Sequence, residues 1–222
     1  MSDPIRKLYY GKDIDVTFDT KRCIHSAECV NKLAQVFDTS RRPWVLPDNA
    51  PAAEVARVVM LCPSGALRFA RKDGGSSEQP PEINLVVIAA NGPLYVRGLV
   101  TIQSEDGSLA LEETRLALCR CGASLNKPFC DNSHVGSSFE DACNLAKAVI
   151  PEKAVPGKAE PGCLKITYKD IGSFHLDGPF VLLGPDGNLL FEGTHASLCR
   201  CGLSQNQPFC DRSHRRLLEQ DT

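Results

Sequence analysis

Residues 119–134 read CRCGASLNKPFCDNSH, and residues 199–214 read CRCGLSQNQPFCDRSH. The two stretches lie 80 residues apart and agree at all three cysteines, at the histidine, and at the Arg, Gly, Ser, Asn, Pro, Phe, Asp and Ser between them. Such agreement marks an internal duplication. Each copy supplies C-x-C, eight residues, then C-x3-H, which is three thiols and one imidazole. Side chains alternate along extended backbone, so Cys119 with Cys121, and Cys199 with Cys201, point the same way and can grip one metal atom. Residues four apart share a face of a first helical turn, so Cys130 with His134, and Cys210 with His214, can grip a second. Asp131 and Ser133 suit such a turn because their oxygens can satisfy free amides at a helix start. Gly122 and Gly202 let the backbone approach a bound group closely. Pro128-Phe129 and Pro208-Phe209 are expected to stiffen the loop and shield it from water.

The duplication extends upstream. Asp106-Gly107 matches Asp186-Gly187, Thr114 matches Thr194, and Gly92-Pro93 corresponds to Gly178-Pro179 with six more residues in the first copy. Apolar stretches such as Leu94 to Ile102 and Phe180 to Leu183, followed by an Asp-Gly turn, predict β-hairpins. Two stretches rich in Gly, Pro and charge, DGGSSEQPPE at 73–82 and PEKAVPGKAEPG at 151–162, read as linkers or exposed crossovers. The predicted organisation is a first domain at 1–72, a linker at 73–82, one motif domain at 83–150, a linker or crossover at 151–162, and a second motif domain at 163–222. Segments this small rarely bury enough apolar surface to fold unaided, and bound metal is a usual remedy.

The first segment has a different pattern. Ile14 to Phe18 alternates as a strand does, Glu28 to Phe37 has helical spacing, and Ala52 to Leu61 reads as a second helix with Pro51 at its first position and Cys62-Pro63 at its end. The expected arrangement is βα-βα. Cys23, Cys29 and Cys62 form C-x5-C…C-P, with His25 and Ser26 between the first two. Trp44 is expected in the core or as a shield over these cysteines. Cys143 and Cys163 lie outside every motif and read as ordinary buried or exposed thiols, and His175 and His195 lack metal spacing.

Eleven cysteines among 222 residues is an odd number, so they cannot all pair with one another. A net charge of -2 leaves no electrostatic footprint for nucleic acid or an anionic membrane. The longest apolar run, Leu85 to Ala90, falls far short of the ~20 residues needed to cross a bilayer. No secretory signal is visible at the N-terminus, so a cytoplasmic chain with reduced thiols is expected. Hydrolytic triads, Walker loops and nicotinamide fingerprints are missing, and no enzymatic activity is expected.

The signature C-x-C-x8-C-D-x-S-H resembles the CDGSH iron-sulfur (NEET) family across roughly residues 83–222. The resemblance implies a 2Fe-2S cluster in each motif, held by Cys119, Cys121, Cys130 and His134 and by Cys199, Cys201, Cys210 and His214. A structural zinc site is the alternative for three Cys and one His, although C-x-C is tighter than usual zinc spacing. Asn132 and Arg212 stand where the signature has Gly, which implies a different polarity beside each cluster. Single-motif members dimerise through a β-cap, so this chain is expected to be a monomer forming an intramolecular pseudo-dimer. KRCIHSAECV, VFDTSRRPWVLPD and CPSGAL resemble the divergent mono-cluster 4Fe-4S domain over residues 8–70. That implies Cys23, Cys29 and Cys62 on a 3Fe-4S cluster, or on a 4Fe-4S cluster whose fourth iron takes His25, Ser26 or water. The other reading is three buried cysteines in an empty fold. The fold class expected is α+β, a small ferredoxin-like domain followed by two mostly-β CDGSH motifs. The implied function is electron transfer with a flavoprotein or ferredoxin reductase, the alternative being storage, sensing or donation of clusters to apo iron-sulfur proteins.

Overall fold

The structure, a computed structural model, describes residues 6–141 and 148–218. It is mostly β, with few helices, and the chain divides into two compact units, one ending at Gln79 and one starting at Pro80.

In the first unit β1 (Lys7–Tyr9), β2 (Ile14–Phe18) and β3 (Leu67–Arg71) form an antiparallel sheet in the order β1-β2-β3. The predicted strand at Ile14–Phe18 is its centre, where Ile14 and Val16 point into the core. Antiparallel pairing replaces the expected βα-βα arrangement. The predicted helix at Glu28–Phe37 is shorter: α1 covers Glu28–Lys32 and stops at Leu33, whose extended φ of -153° no helix accepts. Leu33, Val36 and Phe37 are buried all the same, because a turn follows and Phe37 bridges to Val45. The helical spacing therefore reported burial and not continuous helix. The second helix, α2, runs Ala52–Val59 with Pro51 at its N-cap, and buries Ala52, Val55, Ala56, Val58 and Val59 in the same core.

The second unit is one sheet. β4 (Leu85–Ile88) precedes a hairpin of β5 (Leu94–Ser104) and β6 (Ala110–Leu118). The short β7 (Val155–Pro156) and β8 (Leu164–Tyr168) precede a second hairpin, β9 (Phe174–Leu183) and β10 (Leu189–Leu198). Each hairpin turns at its Asp-Gly pair, where Gly107 and Gly187 take φ of +73° and +78°, values that glycine adopts without strain. The alternation of buried and exposed residues along β5 follows the two-residue period of a strand covered on one face.

The hairpins are joined reciprocally. β4 runs antiparallel to its own β5, Leu85 opposite Arg97, and parallel to β9 of the other hairpin, Leu85 opposite Val181. β8 runs antiparallel to its own β9, Lys165 opposite Asp177, and parallel to β5, Val100 opposite Leu164. Asn84, 1% exposed, locks this junction. Its side-chain amide donates to the carbonyls of Gly162 and Pro179, each at 2.8 Å, and its Oδ1 accepts from the Leu99 amide at 2.9 Å. Val86, Ile88, Leu94, Leu118, Leu164, Ile166, Phe174 and Phe180 then share one core drawn from both halves. Burying each such side chain contributes about 1.5–3 kcal/mol.

Two expectations need correction here. β5 and β9 begin 80 residues apart, as the cysteine motifs do, so Gly98 is the counterpart of Gly178 and no insertion separates the copies; Gly92-Pro93 does not correspond to Gly178-Pro179. A side chain at Gly98 would collide with Asn84, and one at Gly178 with the Cys163 carbonyl, so both glycines serve the junction. The stretch at 151–162 is also more than a linker, because β7 within it pairs with β10, Gly193 opposite Pro156 and His195 opposite Val155. Proline lacks an amide to donate and is tolerated on such an edge.

Candidate metal centres

Each C-x-C sits where a long strand ends. β6 runs into Cys119 and β10 into Cys199, and the chain then folds back so that Phe129 bridges Leu118 and Phe209 bridges Leu198. The Cys119 amide donates to the Pro128 carbonyl at 2.9 Å and the Cys130 amide to the Ala117 carbonyl at 2.8 Å; Cys199 and Cys210 repeat both bonds at 2.7 and 2.9 Å. These four bonds hold the third cysteine of each motif beside the first two.

The sulfurs of Cys119 and Cys121 lie 3.7 Å apart, as do those of Cys199 and Cys201. Cys130 Sγ lies 3.5 Å from His134 Nδ1, and Cys210 Sγ 3.5 Å from His214 Nδ1. With metal-sulfur bonds of about 2.3 Å and metal-nitrogen bonds of about 2.05 Å, tetrahedral geometry separates two sulfurs by about 3.8 Å and a sulfur from a nitrogen by about 3.6 Å. Both pairs in each motif meet that spacing. Among the described residues no group of three or more His, Cys, Asp or Glu is set to hold a single ion. Each motif offers a Cys/Cys pair and a Cys/His pair at ligand spacing, and three thiols with one imidazole suit an iron-bearing group.

The expected helical turn between Cys130 and His134 is corrected. Asn132 takes a left-handed φ of +77°, Arg212 one of +70°, and only a 3-10 turn at Ser133–Val135 follows in the first copy. In the second copy a helical turn, α3 (Arg215–Leu218), starts only after His214. The left-handed residue makes the sharp bend that carries His back over Cys, and its amide donates to the cysteine sulfur at 3.4 Å in both copies. Asp131 organises the bend. Its Oδ1 accepts from the Ser133 amide at 3.0 Å and from the Ser133 hydroxyl at 2.6 Å, and its Oδ2 from the Leu125 amide at 2.8 Å. Burial alone would push this carboxyl up, yet those bonds hold it below the ordinary carboxylate range, and Asp211 behaves alike.

Sulfur contact and burial shape the thiols. In each C-x-C pair the close contact lets one sulfur release its proton more readily while its neighbour holds on to its own. Burial pushes Cys130 up to about 11 and Cys210 up as well. Burial, then the neighbouring Arg215 guanidinium, pushes His214 down. Ligation of such thiols requires proton release, so metal loading is linked to pH.

Arg120 and Arg200, inside each C-R-C, are missed by motif reasoning. Both are almost fully buried. Arg120 donates to the carbonyls of Gly92 at 2.9 Å and Ala89 at 2.7 Å and pairs with Asp141. Arg200 stacks on Tyr168 with its guanidinium 4.9 Å from the ring centre and donates to the Asp170 carbonyl at 3.2 Å. Ser124 and Ser204, whose hydroxyls donate to the Phe129 and Phe209 carbonyls at 2.7 and 2.6 Å, were equally unassigned. Identity between the two copies was the signal for all four.

In the first unit Cys23, Cys29 and Cys62 line one cavity of about 440 Å3, together with His25, Ser26 and Ser64. Cys23 Sγ is 4.0 Å from His25 Nδ1, and Cys62 Sγ is 3.7 Å from Ser64 Oγ. His25 and Ala27 take left-handed φ of 52° and 60°, which curls the loop between the first two cysteines around the cavity. Burial pushes Cys29 up to about 11 and Cys23 up as well. Trp44 fills both roles expected of it, packing on Tyr9, Phe18 and Phe37 and walling the cavity. Three thiols on one largely apolar wall, Cys62 buried and Cys23 and Cys29 half-buried, suit an iron-sulfur group. Cys163 is exposed, 3.5 Å from Thr101 Oγ1 and apart from every motif, whereas Cys143 lies outside the described residues.

Comparison with known proteins agrees with this division. The family model for the divergent 4Fe-4S mono-cluster matches residues 9–72, and that for the iron-binding zinc finger of CDGSH type matches twice, over 91–135 and 171–215. The uncharacterized protein YjdI of Escherichia coli, in strains K12 and O157:H7, is 42% identical over 66 residues, covering 30% of this chain and 87% of the relative. No solved structure matches. The chain is therefore a member of the divergent 4Fe-4S mono-cluster family in its first segment, joined to a tandem pair of CDGSH iron-binding domains.

Proposed function

We propose that this iron-sulfur protein carries electrons, with a 2Fe-2S cluster in each CDGSH motif and a 3Fe-4S or 4Fe-4S cluster on Cys23, Cys29 and Cys62. The carrying observation is the division of each motif into a Cys/Cys pair at 3.7 Å and a Cys/His pair at 3.5 Å. When bound, such clusters supply one-electron couples. The chain's own part is to hold the sulfurs at ligand spacing and direct the Asn132 and Arg212 amides at them. Cations and amide donors near a cluster favour its reduced form.

The reciprocal strand pairing supports an intramolecular pseudo-dimer with a β-cap, in which one chain does the work of two single-motif copies. Partners would be redox proteins such as a flavoprotein or ferredoxin reductase, and the protein would have no enzymatic activity of its own. No helix among the described residues is long and apolar enough to cross a membrane.

A second reading, donation of clusters to apo-proteins, is favoured by the position of His134 on a three-residue surface turn, from which a ligand can be released without opening the sheet. Incubating the loaded protein with an apo-ferredoxin separates the two: rapid cluster transfer supports donation, and reversible reduction without cluster loss supports carriage. The primary test is iron and sulfide analysis with EPR on anaerobically purified protein. Sulfide matching iron in about four atoms per CDGSH pair is expected; two zinc ions and no sulfide would overturn the assignment.

A further inference from the structure

The two motifs are alike, but their surroundings are not. Against the second, with its Cys210 and His214 forming part of the wall, lies an open cavity of about 720 Å3, a size typical of small-molecule sites. Its rim carries Lys153, Lys169, Arg212 and Arg215 against the carboxylates of Glu152 and Asp211, an excess of two positive charges. Asp211 already accepts from the Ser213 and Gln205 amides, and Lys169 pairs with Glu105 at 2.7 Å. Lys153, Arg212 and Arg215 have no side-chain partner among the described residues.

The floor is built from β9 and β10. His175 Nδ1 is 3.0 Å from the Ser197 hydroxyl, its Nε2 is 3.3 Å from Ser173 Oγ, and His195 Nδ1 is 2.7 Å from Asp177 Oδ1. His175, His195 and Ser197 line the cavity, and the strand register sets Ser197 opposite His175 and His195 opposite Asp177. The positions 80 residues earlier hold Tyr95, Arg115 and Ala117, so the first half carries neither these imidazoles nor this hydroxyl. Two imidazoles in one patch would suit a cation, but the four cationic side chains around them oppose it.

We propose that this cavity binds a small dianion, a phosphate monoester or a dicarboxylate, gripped by Lys153, Lys169 and Arg215 over the His175–Ser197 floor. The site adjoins the metal centre, since Cys210 and His214 also line the cavity, so the proposal rests on that reading of the motif; iron and sulfide content report loading of the centre separately from anion binding.

The test is calorimetric titration of the full chain, purified with its clusters, with inorganic phosphate and with succinate at low ionic strength. One equivalent of at least one of them is expected to bind. Phosphate binding alone assigns the monoester class, and succinate alone the dicarboxylate. The K153Q/K169Q double variant should weaken binding about tenfold or more, since two nearby charges are lost. His175→Tyr, which installs the residue found at the equivalent place in the first half, should abolish binding while the fold is kept. Arg216→Ser, whose side chain lies outside the cavity lining, should change affinity less than twofold. The proposal is overturned if neither anion binds, if K153Q/K169Q binds like the parent, or if Arg216→Ser costs as much as the double variant. Binding of polyglutamate with neither small anion would also overturn it, pointing to an acidic protein partner instead.

Discussion

Cys121 and Cys201, one from each motif, are β-bridge partners of each other. The glycine after each presses on its opposite number: a Cβ on Gly122 would lie 2.6 Å from the Cys201 carbonyl oxygen, and one on Gly202 would lie 2.6 Å from that of Cys121. Both glycines also hold left-handed φ, +79° and +77°. Gly122→Ala should therefore destabilise the second unit by about 1–3 kcal/mol. Because the contact crosses between motifs, iron should fall at both CDGSH sites. Urea unfolding followed at both sites checks this, and loss confined to the first motif would contradict it.

The position that the CDGSH signature gives to glycine is a backbone requirement here. Arg212 at φ +70° bears strain that Asn132 at +77° largely escapes, since asparagine tolerates the left-handed region. Arg212→Gly should raise stability by about 0.5–1 kcal/mol, the smaller for the added freedom of glycine in the unfolded chain. Asn132→Gly should change it by no more than a few tenths. Denaturant midpoints of the two variants side by side read the difference.

Ligand substitutions should act site by site even though the fold is shared. Cys121→Ser keeps the backbone bridge and should remove about half the iron of the CDGSH pair, leaving the second cluster's spectrum intact. Cys62→Ser should remove only the signal of the first unit. EPR on each variant, with iron counted per chain, provides the check.

The two CDGSH clusters should differ in potential. Arg212, Arg215 and Arg216 flank His214 of the second in sequence, where the first has Asn132, Val135 and Gly136 beside His134. In water one cation about 8 Å away is worth ~0.5 kcal/mol, and salt screens it further. The cluster on Cys199, Cys201, Cys210 and His214 should reduce first at low ionic strength. A redox titration of the two single-site Cys→Ser variants tests the order, and equal potentials would show that burial and backbone hydrogen bonds outweigh the arginines.

The sequence made the metal centres far more legible than the sheet that carries them. Alternation in extended backbone was enough to pair Cys119 with Cys121, and the Asp-Gly turns located both hairpins. The Cys130–His134 pair was reached for the wrong reason: a left-handed bend at Asn132, not a helical turn, brings them together. β9 was read only from Phe180 onward, because His175, Asp177 and Gly178-Pro179 interrupt its apolar pattern at the cavity and the junction. The exchange of β4 and β8 left no local trace, since pairing partners 96 residues apart for Leu85 and Val181, and 64 for Val100 and Leu164, impose no periodicity on either strand. Asn84 is the clearest case, a lone polar residue whose role depends on carbonyls at 162 and 179.

The reciprocal junction also sets an order of events during synthesis. When the ribosome has delivered β4, β5 and β6, the edge of β5 that later receives β8 is bare, and Gly122 has nothing to rest against. The first motif must wait for Cys201, 80 residues further on, before its own loop is braced. A nascent chain paused between the copies therefore exposes unbraced thiol pairs and an unpaired strand edge together, and both centres become ready for loading only when the second motif, beyond the second hairpin, has emerged.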